Sequence, residues 1–93
     1  YKYVKDKDNN IKSIIKKYGF IESNENNFIA TRNQKDKIIN ILDYGYPENS
    51  DILRLKIELI YKSDNKKREG WISANKIGDY IDQPEIKGMR ENG

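Results

Sequence analysis

The sequence contains no cysteine and no histidine. Without cysteine there is no disulfide framework, no thiolate nucleophile and no zinc–thiolate site. Without histidine the side chain that most often serves as a general base near neutral pH is missing. Nucleophilic triads of the Ser-His-Asp or Cys-His type are therefore excluded. No apolar run approaches the roughly 18 residues that a membrane-crossing helix needs, so nothing in this stretch reads as a transmembrane segment. Neither a GxGxxG nor a Walker pattern occurs, and there is no N-x-Ser/Thr acceptor. Proline appears only twice, and tryptophan and methionine once each.

What remains is short and polar. Ninety-three residues make one small domain. Hydrophobic residues are 35% of the chain and charged residues another 35%, which leaves a thin core under a wet surface. Eighteen Lys and Arg stand against 15 Asp and Glu, a formal charge of +3. The signs interleave, and only two basic clusters stand out. One is Lys12, Lys16 and Lys17; the other is Lys62, Lys66, Lys67 and Arg68. Each reads first as a solvated face and second as a surface for phosphate or another polyanion. Isoleucine, lysine, asparagine and tyrosine dominate, a bias that A/T-rich codons would produce. The chain opens at Tyr1 without a methionine or a signal-peptide core, and it reads as a piece of a longer protein.

Ile11, Ile14, Ile15 and Tyr18 follow the spacing of one helix face, which predicts a short amphipathic helix over residues 9–18. Asp8 or Asn9 can cap its start, and Gly19 can take the left-handed position past its end. Phe20–Ser23 and Phe28–Arg32 read as short strands. Lys37–Leu42 suits a buried strand or one side of a short helix, and Asp43–Ser50 reads as a loop. The clearest element is Ile52–Lys62. Leu53, Leu55, Ile57, Leu59 and Tyr61 alternate with polar residues, a period of two with one wet face. Ile60 breaks that polar face and needs cover, for which the helix at 9–18 is the nearest candidate. Ser63–Arg68 is a hairpin loop, Gly70–Ala74 a returning strand, and Asn75–Tyr80 a closing turn and strand. Residues 81–93 read as a flexible tail.

Candidate chemistry is sparse. Ser13 lies three residues before Lys16, an ordinary arrangement on the wet side of a helix. Asp6, Asp8 and Asn10 begin like a calcium loop. Ile11 then stands where the turn needs glycine, and Lys17 where a bidentate glutamate is needed, so no metal site is expected. No cofactor is expected either. Seven tyrosines are the remaining unusual feature. Tyr44 and Tyr46 flank Gly45 and can wall a groove with flat apolar area at low entropic cost. Trp71 is the third aromatic candidate, read first as a packing residue. Tyr1, Tyr3 and Tyr80 read as edge residues.

The segment Arg68-Glu69-Gly70-Trp71-Ile72-Ser73-Ala74-Asn75-Lys76-Ile77 resembles the closing strand of bacterial SH3-like (SH3b) domains. Ile29-Ala30-Thr31-Arg32 resembles their opening strand. Lys37-Ile38-Ile39 through Leu42, followed by Gly45, resembles the next strand and its glycine turn. Asn33-Gln34-Lys35-Asp36 departs from the small-residue-plus-proline turn usual in that family, and the helix at 9–18 is an addition. The resemblance spans roughly residues 20–80. It implies a mainly β fold, a small SH3-like antiparallel β-barrel over residues 20–80, here preceded by an N-terminal extension, residues 1–19, with a short helix. It also implies a non-catalytic module of a larger bacterial envelope or secreted protein, hence extracytoplasmic, that recognises a peptide or a cell-wall component.

Two other readings stand beside this one. A small basic barrel can contact nucleic acid, with Lys62, Lys66, Lys67 and Arg68 as its cations. A structural spacer needs no ligand at all. A small barrel serves any of these roles, so fold alone does not choose.

Overall fold

The computed structural model describes residues 3–4, 9–23 and 27–82. The chain is mainly β. Four strands form an antiparallel meander: β3 (Ala30–Asn33), β4 (Lys37–Pro47), β5 (Arg54–Tyr61) and β6 (Lys67–Ser73). The two-residue β2 (Ile21–Glu22) extends the sheet beyond β3, and β1 (Tyr3–Val4) pairs with the far end of β4. Among the described residues the sheet is open, with β2 and β6 at its edges. One helix, α1 (Asn9–Lys17), precedes the sheet. A 3-10 turn (Ala74–Lys76) and a second helix, α2 (Ile77–Asp82), follow it.

Helix α1 stops where the sequence places its stop. Gly19 has φ +74°, the amide of Phe20 donates to the Ile15 carbonyl, and that of Gly19 donates to Lys16. This pair of backward bonds closes the last turn and satisfies carbonyls that would otherwise be orphaned. Three asparagines do comparable work elsewhere. Asn27, Asn49 and Asn65 all have positive φ, and asparagine enters the left-handed region more readily than other non-glycine residues.

The register fixes two faces. Ile39 stands across from Leu59, Ile41 from Ile57 and Tyr44 from Leu55, while Ile72 faces Leu55 from the other side. These residues are buried and form the core with Ala30, Leu53, Phe20 and the α2 residues Ile77, Tyr80 and Ile81. Ile11 and Ile15 of α1 belong to the same cluster. The helix therefore covers the inner face of the sheet and does not dock over Ile60, which points the other way, across from Ile38 and Lys67. The reason is strand parity. Ile60 sits out of phase with the four buried apolar residues of its strand, Leu55, Ile57, Leu59 and Tyr61, so a helix packed on that face cannot reach it.

Three further expectations are corrected. Asp43–Pro47 is not a loop but the second half of β4, where β5 pairs with Asp43, Tyr44 and Gly45 and β1 with Tyr46 and Pro47. That continuous pairing outweighs the local turn signals of Gly45 and Pro47. The turn itself is confined to the residues after Pro47. The segment after Ala74 is not a strand: Ile77, Tyr80 and Ile81 take helical spacing and plug the end of the core. Tyr80 is accordingly buried and not an edge residue. Residues 83–93, Tyr1, Asp6 and Asp8 lie outside the described residues, as do the side chains of Tyr3 and Asn9.

Candidate ligand-binding face

Tyr44 and Tyr46 share the inner face of β4. Tyr44 is only 9% exposed and packs in the core. Tyr46 is half-buried against that core, and its hydroxyl accepts a hydrogen bond from Asn10 Nδ2 at 2.5 Å. Both rings thus lie on the side that α1 covers. Trp71 lies on the opposite face, half-buried, across from Lys56. It is outside the core cluster. The three aromatic candidates are therefore divided between the two sides of the sheet.

The basic candidates sit at the turn between β5 and β6. Lys62, Lys66 and Lys67 are exposed, and Arg68 is half-buried. Arg68 is already engaged: its Nη2 lies 3.1 Å from Asp64 Oδ2, and its guanidinium stacks 4.7 Å from the Tyr61 ring centroid. The Lys66 amide donates to Asp64 Oδ1 at 3.0 Å. That backbone bond first, and the Arg68 guanidinium after it, hold the Asp64 carboxyl below its usual value. The neighbouring turn between β3 and β4 is tied to this one, because the Lys62 amide donates to the Asp36 carbonyl at 2.9 Å. Lys35 is thereby brought to the same end of the sheet. Lys37 behaves differently: it points inward, is 1% exposed, and its Nζ lies 3.4 Å from Asp36 Oδ2.

On the outer face, the side that α1 leaves bare, lies an open groove of about 480 Å³. Its lining includes Ile21, Phe28, Thr31, Ile38, Asn40 and Ile60. The register explains how residues so far apart meet. Asn33, Ile38, Ile60 and Lys67 form one cross-strand row, and Ile21, Thr31, Asn40, Glu58 and Glu69 form the next. Ile21 is 75% exposed, an unusual position for a large apolar side chain on so polar a surface. Beneath the groove runs a polar chain. Thr31 Oγ1 donates to Asn40 Oδ1 at 2.8 Å, and Asn40 Nδ2 donates to Glu58 Oε1 at 3.1 Å. Glu69, next in the row, is held by Lys56 at 3.1 Å.

Sequence reasoning picked out Ile60 as an apolar residue on a polar face but missed Ile21 and Ile38. The signal for Ile38 was its place one step out of phase with Ile39 and Ile41 in a strand whose pairing partner was unknown. A smaller cleft of about 300 Å³ lies between α1 and the 3-10 turn, where Ser13 and Lys17 meet Asn75. Among the described residues no group of three His, Cys, Asp or Glu side chains is placed to hold a metal ion. No described helix is long and apolar enough to cross a membrane.

No family model, curated protein or solved structure matches the chain.

Proposed function

We propose that this domain is a non-catalytic binding module of SH3-like type that takes an extended peptide in its outer-face groove. One observation carries the reading. Among the described residues the one helix long enough to cover a sheet face covers the inner one, and the outer face keeps an open apolar groove with neutral hydrogen-bonding groups in it. Its volume falls within the range of small-ligand sites, and apolar walls with a few placed polar groups are what such sites present. Thr31, Asn33 and Asn40 offer the hydrogen bonds, while Ile21, Ile38 and Ile60 offer the apolar contact. The SH3-like assignment rests on the order of the three sequence pieces, which the meander β3–β6 carries in sequence. The bacterial envelope setting rests on the resemblance alone.

The test is a nuclear magnetic resonance titration of the labelled domain against a panel of short extended peptides. Peptidoglycan fragments and an oligonucleotide form the comparison arms. Peptide binding at the groove shifts the amides of Ile21, Ile38, Asn40 and Ile60. If only peptidoglycan fragments produce those shifts, the ligand is a wall component and not a peptide. No shift with any member of the panel defeats the reading.

A further inference from the structure

The groove is apolar along its floor but uneven in charge around its rim. Among the described residues its lining includes one acidic residue, Glu22 of β2, whose strand partner Ala30 belongs to the inner face. The side opposite β2 and the near end are basic. Lys67 continues the row Asn33–Ile38–Ile60 on the same outer face, directly across from Ile60. Lys62 follows the end of β5, and Lys35 stands in the turn that the Lys62–Asp36 backbone bond draws alongside. All three lysines are exposed.

The acidic groups nearby do not cancel them. Asp36 lies against Lys37, Asp64 is paired with Arg68, and Glu69 is held by Lys56. Glu58 is 8% exposed and accepts from Asn40 beneath the groove. Among the described residues the uncommitted charge on the turn side of the rim is therefore positive.

We infer that the occupant of the groove is an acidic peptide. Its apolar side chains seat on Ile21, Ile38 and Ile60, and its carboxylates lie toward Lys35, Lys62 and Lys67. This rests on the proposal that the groove binds a peptide, and it adds the ligand's charge and direction. The three lysines stand on the turn side of the groove, so the peptide has one favoured orientation. Apolar contact supplies the anchor, and the lysines select among peptides and speed the encounter.

The experiment compares three short peptides with the same apolar residues at one end. The other end carries glutamates, glutamines or lysines. Binding is followed through amide shifts in the labelled domain at low and raised salt. Three exposed ion pairs, each worth roughly two- to five-fold, predict that the glutamate peptide binds about tenfold or more tighter than the glutamine one. Raised salt narrows that gap. The combined Lys35→Gln, Lys62→Gln and Lys67→Gln variant removes the preference. If the glutamate and glutamine peptides bind equally, the groove reading survives and the acidic preference is overturned. If none of the three moves Ile21, Ile38 or Ile60, the groove reading itself fails. A polyglutamate without apolar residues is the last arm. Should it bind as tightly as the glutamate peptide and shift only the turns, the site is a general polyanion surface and the inference falls.

Discussion

Asn40 donates to Glu58 across the β4–β5 pair, 3.1 Å from Nδ2 to Oε1, and both side chains are buried, at 4% and 8% exposure. Thr31 completes the chain from β3. A buried amide that loses its acceptor keeps its full desolvation cost, about 1–3 kcal/mol. Glu58→Ala is therefore expected to lower unfolding stability by about that much in urea denaturation. Glu58→Gln, which retains an acceptor oxygen, is expected to lose less. Equal losses in the two variants would show that the bond is not what Glu58 contributes.

A second prediction concerns the end of α1. A Cβ on Gly19 would stand 3.1 Å from Arg32 Nη1, the group that donates to the Tyr18 carbonyl. The φ of +74° is itself unfavourable for alanine. Gly19→Ala is expected to cost about 1–2 kcal/mol from the backbone alone. Arg32→Lys in the Gly19→Ala background, with a slimmer head, should recover part of any further loss. Thermal denaturation of the single and double variants measures both contributions.

Burial of Ile11 and Ile15 in the core makes α1 a structural element of the domain. Ile11→Ala and Ile15→Ala should each cost about 2–5 kcal/mol. Lys12→Ala, on the exposed side, should stay within about 0.5 kcal/mol. Were all three alike, the helix would not be docked as described.

Trp71 offers a contrast with the core. It is half-buried on the outer face, whereas Leu55 across the strand pair is fully buried. Leu55→Ala is expected to reduce the melting temperature more than Trp71→Ala does, despite the smaller side chain removed. Acrylamide should quench the Trp71 fluorescence of the folded protein only in part.

Two titrating groups give pH predictions of opposite sign. The Asp64 carboxyl is held below its usual value by the Lys66 amide and then by Arg68. Its contribution is present above the unfolded-state pKa and is lost as pH falls through the lower folded value. Asp64 sits at the solvent-screened surface, so the effect is small, and Asp64→Asn should flatten the acid limb of the stability profile slightly. Tyr80 is raised above 10.0, first by burial, then by Asp79 and Tyr61. Its contribution is intact below about 10 and is lost as pH rises through the higher folded value. An ultraviolet titration should show the Tyr80 phenol ionising late, and Tyr80→Phe should remove that contribution.

How much of this was legible in the sequence depended on the element. Helix α1 and strands β5 and β6 declared themselves, because period and end signals agreed: Ile11 to Tyr18 with Gly19, Leu53 to Tyr61, and Gly70 to Ala74. The second half of β4 did not, since its pairing with β1 and β5 is a property of the assembled sheet. Helix α2 carried a readable Ile77–Tyr80–Ile81 spacing that Gly78 and its short length obscured. The side on which α1 docks needed knowledge of which face of each strand was already taken. For the same reason Ile60 was visible as an anomaly, while Ile21 and Ile38 became site residues only once the rows across the sheet were known.

The irregularity in β4 between Ile41 and Asp43, where Leu42 is the added residue, has a consequence of its own. Up to Ile41 the odd-numbered positions of the strand face the helix; beyond it the even-numbered ones do. Leu42 acts as a parity switch. With it, Tyr44 and Tyr46 fall on the covered side and Asp43 and Gly45 on the open one. Were Leu42 instead paired in a regular ladder, the second half of the strand would invert, offering two phenol rings to solvent and pressing an aspartate into the core. The bulge thus decides which side of the molecule is greasy and closed and which is left free to meet a partner.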